Sequence, residues 1–300
     1  MGKTIKDIIR NPQLLFLTLG NRGLLNWMSD EQYLKIAYRV RGGGGINLCK
    51  PVTFNEKLNW LKLHDRNPLY TTLADKYEVK TYVAERIGDE YVVPCYGVWD
   101  SAELIDYETL PQSFVLKCTH DSSGALICRN KDGFDKEGAK RKINGYLRKN
   151  YYWTLREWVY KDIKPRVIAD MFLDDASGHE LQDYKFWCFN GEPKVMYCTN
   201  KAEKIYENFY DMDFKPLDIN HGFARRIPEF DRPQKFELMK TLAKKLSAGI
   251  PFVRVDFFDV SNHIYFGEFT FYDWGGLKPF VDYNWDKRLG SWITLPNIHT

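Results

Sequence analysis

The densest chemistry in the sequence sits in Phe252-Val-Arg254-Val-Asp256-Phe-Phe and in Gly267-Glu268-Phe-Thr270. On a β-strand alternate side chains share a face, so Arg254 and Asp256 point one way, and Glu268 and Thr270 do the same on the next strand. Two carboxylates held on rigid neighbouring strands suit Mg²⁺, which takes one or two carboxylates and completes its shell with water and phosphate oxygens. Arg254 would then hold a transferred phosphoryl group or an acyl phosphate. From spacing alone, an Arg–Asp pair satisfied within the sheet explains the pattern equally well.

Three other clusters could meet an anion or a sugar. Phe114-Val-Leu-Lys117 is an apolar run ending in a cation, followed by His120-Asp121-Ser122-Ser123-Gly124, a small-residue loop able to offer backbone amides to phosphate. An ordinary polar hairpin has the same composition. Asp75-Lys76-Tyr-Glu-Val-Lys80 opens a helical stretch and puts Lys76 and Lys80 on one face, where a solvated helix surface is the plainer account. Asp183-Tyr-Lys185 follows the run 167–173, which carries Asp170; acids at strand ends can accept from ribose hydroxyls or an adenine amino group. The chain contains no GxSxG, GxxxxGK[ST] or HExxH, and its histidines lack metal-ligand spacing.

These residues must be positioned by α+β elements. Thr53 and Glu56 have capping-box spacing before Leu58, Trp60 and Leu61, and 73–87 reads as helix up to Gly88. A short strand is expected at 91–94, a hairpin at 113–118 and 125–128, and helix again over 135–161. Strands follow at 166–173, 184–189 and 194–198, with an Asn190-Gly191 turn between the last two. The helix 234–248 leads into a final hairpin, 253–258 and 264–271.

Composition narrows the function classes. The 300 residues are 44% hydrophobic and 28% charged, as in ordinary globular chains. A net charge of +3 gives no general argument for nucleic acid, so an anionic ligand requires a local cluster. The six cysteines form no CxxC pair and read as buried thiols. The apolar run 14–17 is too short for a bilayer span and has no small-residue cleavage site, which points to an amphipathic helix and a cytoplasmic protein. Such a helix leaves peripheral membrane contact open.

In order, the clusters resemble the ATP-grasp fold. More closely, the chain resembles its TupA-like branch, the teichuronopeptide biosynthesis type associated with bacterial surface-polysaccharide pathways. The blocks that carry the resemblance are Thr53-Phe-Asn-Glu-Lys-Leu-Asn-Trp-Leu-Lys62, Asp75-Lys76-Tyr, Phe114-Val-Leu-Lys117, His120 to Gly124, Asp183 to Lys194, Gly249 to Asp256, and Tyr265 to Tyr272. The resemblance covers about residues 50 to 295.

It implies two α+β lobes gripping ATP behind a mostly helical N-terminal region. The divisions would be a helical region 1–72, a pre-grasp segment 73–112, a lid lobe 113–165, and a large lobe 166–300 with hinge and metal site. Lys76 and Lys117 would contact ATP phosphates under a lid of Ser122, Ser123 and Gly124. Adenine would meet the hinge around Asp170, Met171 and Leu173, and ribose would meet Asp183. Asp256, Glu268 and Thr270 would hold Mg²⁺, with Arg254 and Lys185 in the catalytic role.

Two residues depart from the common ATP-grasp pattern: Asp170 stands where Glu is usual in the hinge, and Thr270 where Asn is a further metal ligand. The implied activity is a carbon–nitrogen ligase that joins a carboxylate-bearing sugar or peptide to an amine in surface or capsular polysaccharide synthesis. The implied partners include no nucleic acid, and they leave room for peripheral contact with a membrane-linked glycan assembly. A glycosyltransferase of the same pathways and a sugar kinase on the same fold are the alternatives; Asp211-Met-Asp213 has the spacing of a transferase metal motif but follows a loop.

Overall fold

In the computed structural model, which describes residues 12–122, 124–174, 181–200 and 206–297, the helix boundaries follow local side-chain chemistry. After α1 (Pro12–Asn21) and α2 (Asp30–Val40), the expected capping box opens α3 (Phe54–His64). Thr53 Oγ1 accepts from the Glu56 N–H at 3.3 Å and the Glu56 carboxylate accepts from the Thr53 N–H at 3.0 Å. Thr53→Ala should therefore lower unfolding free energy by about 1 kcal/mol in a urea titration.

The stretch expected as one helix over 73–87 is two, α4 (Leu69–Ala74) and α5 (Val79–Ile87). Asp75 makes the break, because its carboxylate accepts from the N–H groups of Tyr77 at 2.7 Å and Glu78 at 3.2 Å, in competition with the helical ladder. Gly88 ends α5 with φ at 119°, a conformation open to glycine. The strand expected at 91–94 is displaced to β1 (Cys95–Trp99): residues 89–91 form a 3₁₀ turn, and Pro94 has no N–H to give a ladder.

β1 lies in a four-stranded antiparallel sheet with β2 (Phe114–Cys118), β3 (Leu126–Cys128) and β4 (Val167–Met171), in the order β1-β4-β2-β3. β4 thus follows residue 165 in sequence yet sits in the middle of this first sheet. Phe114, Leu116, Val167 and Ala169 pack with Ile143 of α6 (Lys136–Leu147) into a small core of their own. The helical reading of 135–161 holds for α6 and for a short α7 (Tyr152–Leu155), which Arg156 ends in a left-handed conformation.

The second sheet has six antiparallel strands in the order β10-β9-β5-β6-β7-β8: β5 (Asp183–Phe189), β6 (Glu192–Asn200), β7 (Tyr206–Tyr210), β8 (Pro216–Leu217), β9 (Phe252–Val260) and β10 (His263–Thr270). Asn190 and Gly191 turn the first hairpin, and Ser261 and Asn262 the last, all with positive φ as tight two-residue turns require. One face carries Phe186, Cys188, Val253 and Val255 in the core with Phe236, Met239, Leu242 and Leu246 of α8 (Phe236–Ser247). The alternation puts Asp183, Lys185, Arg254 and Asp256 on the other face. The helix α9 (Tyr283–Ser291) closes against α3. Among the described residues, no helix is long and apolar enough to cross a membrane.

Candidate active site

Arg254 is the centre of the charged face. Its Nε and Nη2 donate to the two oxygens of Asp256 at 2.7 Å each, Nη2 donates to Glu268 at 3.1 Å, and Nη1 donates to Asp273 at 2.7 Å and to the Tyr197 hydroxyl at 3.2 Å. Lys185, directly opposite Asp256 in the β5–β9 ladder, donates to Asp256 at 3.0 Å and also to Asp183. The sequence reading brought Arg254, Asp256 and Glu268 to one face, and the register places them there. A β-bulge assists: Gly267 and Glu268 together oppose Asp256, so Phe266 and Phe269 both stay buried while Glu268 turns to the charged side. Thr270 pairs across from Arg254.

Electrostatics favour the charged forms of Arg254 and Asp256. Burial works against charge on Arg254, but Asp256, Tyr197 and Asp273 outweigh it and hold its pKa well above the ordinary value. Burial likewise opposes charge on Asp256, and the cations of Arg254 and Lys185 reverse the effect, leaving it below the usual carboxylate range. Asp183 goes the other way: burial raises its pKa beyond what Lys185 restores, and Asp256 adds repulsion. One oxygen of Asp183 has no hydrogen-bond partner, an arrangement that favours a ligand hydroxyl there.

The lysines arrive from the first sheet and the helix break. Lys76 sits in the break that Asp75 creates, with its N–H donating to the Thr119 carbonyl at 3.1 Å and its ammonium donating to the Asp121 carbonyl. Its pKa is lowered, first by burial; Glu268 acts to raise it and Lys117 to lower it. Lys76 therefore lies within electrostatic reach of both the second-sheet carboxylate and the first-sheet lysine. Lys117 pairs with Asp170 at 3.2 Å, and Lys80 with the other oxygen of Asp170 at 3.0 Å. The buried Asp170 carboxylate thus lies between two lysines, with a hydrogen bond from Lys117 on Oδ2 and only an ion-pair contact from Lys80 on Oδ1, which has no hydrogen-bond partner.

The remaining expected residues have local settings of their own. Ser122 is exposed, and Gly124, with φ at 98°, lies so close to the Tyr146 ring that a Cβ would come within 2.8 Å of it; Ser123 lies outside the described residues. Met171 donates its N–H to the Pro94 carbonyl at 2.8 Å, and Leu173 is half-buried two residues beyond the last ladder pair of β4. Asp211 caps its own turn by accepting from the N–H groups of Asp213 and Lys215, which gives the Asp-x-Asp spacing a local structural account. A cavity of about 680 Å³ opens beside Tyr184, Thr199, Arg226 and Asp259; the strand alternation turns Tyr184 and Asp259 away from the charged face.

Sequence reasoning missed Tyr197 and Asp273, which hold one arm of Arg254. Tyr197 stood within the Lys194 to Cys198 strand, directly opposite Lys185, but its role needed the strand pairing. Asp273 precedes Gly275 and Gly276, a pair that could have marked a tight turn at the site.

Among the described residues no three His, Cys, Asp or Glu side chains form a metal-binding group. One Glu268 oxygen accepts from Arg254, and its side chain is 41% exposed. Each Asp256 oxygen already accepts from Arg254. A donor set of one open carboxylate and one shared carboxylate fits Mg²⁺ delivered on a phosphate, since that ion keeps most of its shell as water and phosphate oxygen.

A family model described as TupA-like ATPgrasp matches residues 56–294. No curated protein matches significantly in sequence. Among solved structures, the chain is similar to an N5-carboxyaminoimidazole ribonucleotide synthetase in complex with ADP, at 14% identity and a TM-score of 0.46 over 84% of this chain and 58% of that one. It is also similar to D-alanyl-alanine synthetase A from Vibrio cholerae O1 biovar eltor, at 15% identity and a TM-score of 0.46 over 74% of this chain and 61% of that one. The D-alanine–D-alanine ligase from Bacillus anthracis matches at 15% identity and a TM-score of 0.39 over 66% of this chain and 57% of that one. The chain thus spans less than two thirds of each of these three solved chains.

Proposed function

Since the chain belongs to the TupA-like ATP-grasp family, we propose that it is an ATP-dependent carboxylate–amine ligase working through an acyl phosphate. The observation that carries this reading is the forked hold of Arg254 on Asp256 and Glu268. A cation of this kind, fixed before substrate arrives, lowers the cost of charge developing on a transferring phosphoryl group.

Lys76 and Lys117 are assigned to the ATP phosphates, Asp183 to the ribose, and the backbone at Met171 and Leu173 to adenine. The loop of Ser122, Ser123 and Gly124 is assigned to cover the phosphates. Asp170 acts one step back, holding Lys117 and Lys80 in place. Asp256 and Glu268, with Thr270 beside them, would hold Mg²⁺, which when bound supplies neutralising charge to the phosphates.

A carboxylate oxygen of the substrate attacks the γ-phosphorus; the new P–O bond forms as the bond to the ADP oxygen breaks. Arg254 steadies the acyl phosphate, and Lys185 keeps Asp256 ionised and fixed. An amine nitrogen then attacks the acyl carbon, phosphate leaves, and the nitrogen gives up its proton. A carboxylate-bearing sugar or peptide from cytoplasmic assembly of a bacterial surface polysaccharide is the proposed acid.

The test is turnover by purified protein with ATP, Mg²⁺ and a panel of uronic acids and amino acids, scored for ADP and for new amide mass. Amide product that depends on both partners is the expected result. ADP with a phosphorylated sugar would replace the ligase with a kinase, and turnover of a nucleotide sugar without ATP would replace it with a transferase.

A further inference from the structure

The block Thr53–Lys62 carries three side chains that no step above uses: Asn55, Asn59 and Lys62, spaced i, i+4 and i+7 on one face of α3. All three are essentially unexposed, at 1%, 0% and 0%. Burying two amides and an ammonium is costly unless each finds partners, and here each finds a backbone carbonyl within the segment 275–278. Asn59 Nδ2 donates to the Gly276 carbonyl at 2.6 Å, Asn55 Nδ2 to the Lys278 carbonyl at 3.1 Å, and Lys62 to the Gly275 carbonyl. Lys62 also donates to the Leu155 carbonyl at 3.0 Å, and so ties in the segment that follows α7.

That turn needs holding. Trp274, Gly275 and Gly276 have φ values of 49°, 66° and 60°, three consecutive residues in the left-handed region. Glycine adopts this region freely, so the cost of the run falls on Trp274, a bulky L-residue whose left-handed backbone persists only where its surroundings over-determine it. A Cβ on Gly276 would come within 3.0 Å of the Leu58 side chain and 3.1 Å of Asn59 Nδ2, so the turn and the α3 face fit each other closely. Immediately before the turn stands Asp273, 2% exposed, accepting from Arg254 Nη1 at 2.7 Å and from Tyr197 at 3.1 Å.

We infer that the Asn55–Asn59–Lys62 face is a positioning device for Arg254: it fixes the left-handed turn, the turn fixes Asp273, and Asp273 aims one arm of the guanidinium. The consequence for catalysis rests on the ligase reading of Arg254; the geometry of the guanidinium does not. Lys76, Lys117 and Asp170 lie outside this chain of contacts, so the device governs phosphoryl transfer and leaves nucleotide affinity alone.

Lys62→Met and Gly276→Ala, made separately in the full chain, test this with two readouts. The first needs no nucleotide: the Arg254 Nε–H resonance, assigned by its loss in Arg254→Lys, should shift or broaden in both variants at a temperature where circular dichroism shows them folded. The second is kinetic: kcat should fall about 10- to 100-fold while the Kd for ATP stays within about 3-fold, and the loss in Lys62→Met combined with Asp273→Asn should be close to that of the larger single change. Unmoved resonance in both folded variants overturns the inference, as do independent, multiplicative kinetic losses or an ATP affinity that falls in step with kcat. Wild-type protein that consumes no ATP would count against the ligase reading, while the resonance would still decide the positioning.

Discussion

Glu268→Gln should cut ATP consumption about 100- to 1,000-fold with little change in melting temperature. The side chain is 41% exposed and makes one contact to Arg254, so removing its charge costs at most about 1 kcal/mol of stability. Its expected catalytic loss comes from the metal role proposed for it, since only one Glu268 oxygen accepts from Arg254. Asp256→Asn should be equally inactive but less clean. Arg254 and Lys185 would then remain buried with one counter-charge fewer, a change of the kind that costs roughly 3 kcal/mol or more. Measuring ADP release across a Mg²⁺ titration, beside thermal unfolding, separates the two. Wild-type turnover in Glu268→Gln at every Mg²⁺ concentration would remove this residue from the phosphate chemistry.

The charged face was legible because β-strands alternate with a fixed period. Once 253–258 and 264–271 are read as a hairpin, Arg254 and Asp256 must share a side, and the ladder confirms the side they share with Lys185. Local signals also sufficed for the capping box at Thr53 and for the Asn190-Gly191 turn. What stayed hidden depended on contacts distant in sequence. Asp75 competes with its own helix through a carboxylate that Arg166 also binds at 2.8 Å, and nothing in the 73–87 pattern announces that partner. Asp170 is expected at the hinge near adenine; its two lysine contacts, from α5 and β2, were not legible because only the folded sheet brings those elements together. The block 53–62 was recognisable as a block, yet the purpose of its buried amides required the turn more than 200 residues away.

Arg254→Lys should lower kcat about 100-fold and leave the KM for ATP within about 3-fold. The substitution keeps the charge, so it asks whether charge or shape matters. In the wild type the guanidinium spans three carboxylates and a phenol: Nε and Nη2 take the two oxygens of Asp256, Nη2 also takes Glu268, and Nη1 takes Asp273 and Tyr197. An ammonium is a point charge on a flexible stem and cannot occupy those directions at once. It would collapse toward one carboxylate and leave a buried acid underserved, which should also lower the melting temperature by several degrees. Nucleotide affinity is expected to survive because the residues proposed for the ATP phosphates, Lys76 and Lys117, contact Asp121 and Asp170, not Arg254. Single-turnover kinetics at saturating ATP would read the transfer step directly. A variant with wild-type kcat would mean that any cation serves at this position; a raised KM with kcat intact would make Arg254 a binding residue for ground-state ATP and remove it from stabilising the acyl phosphate.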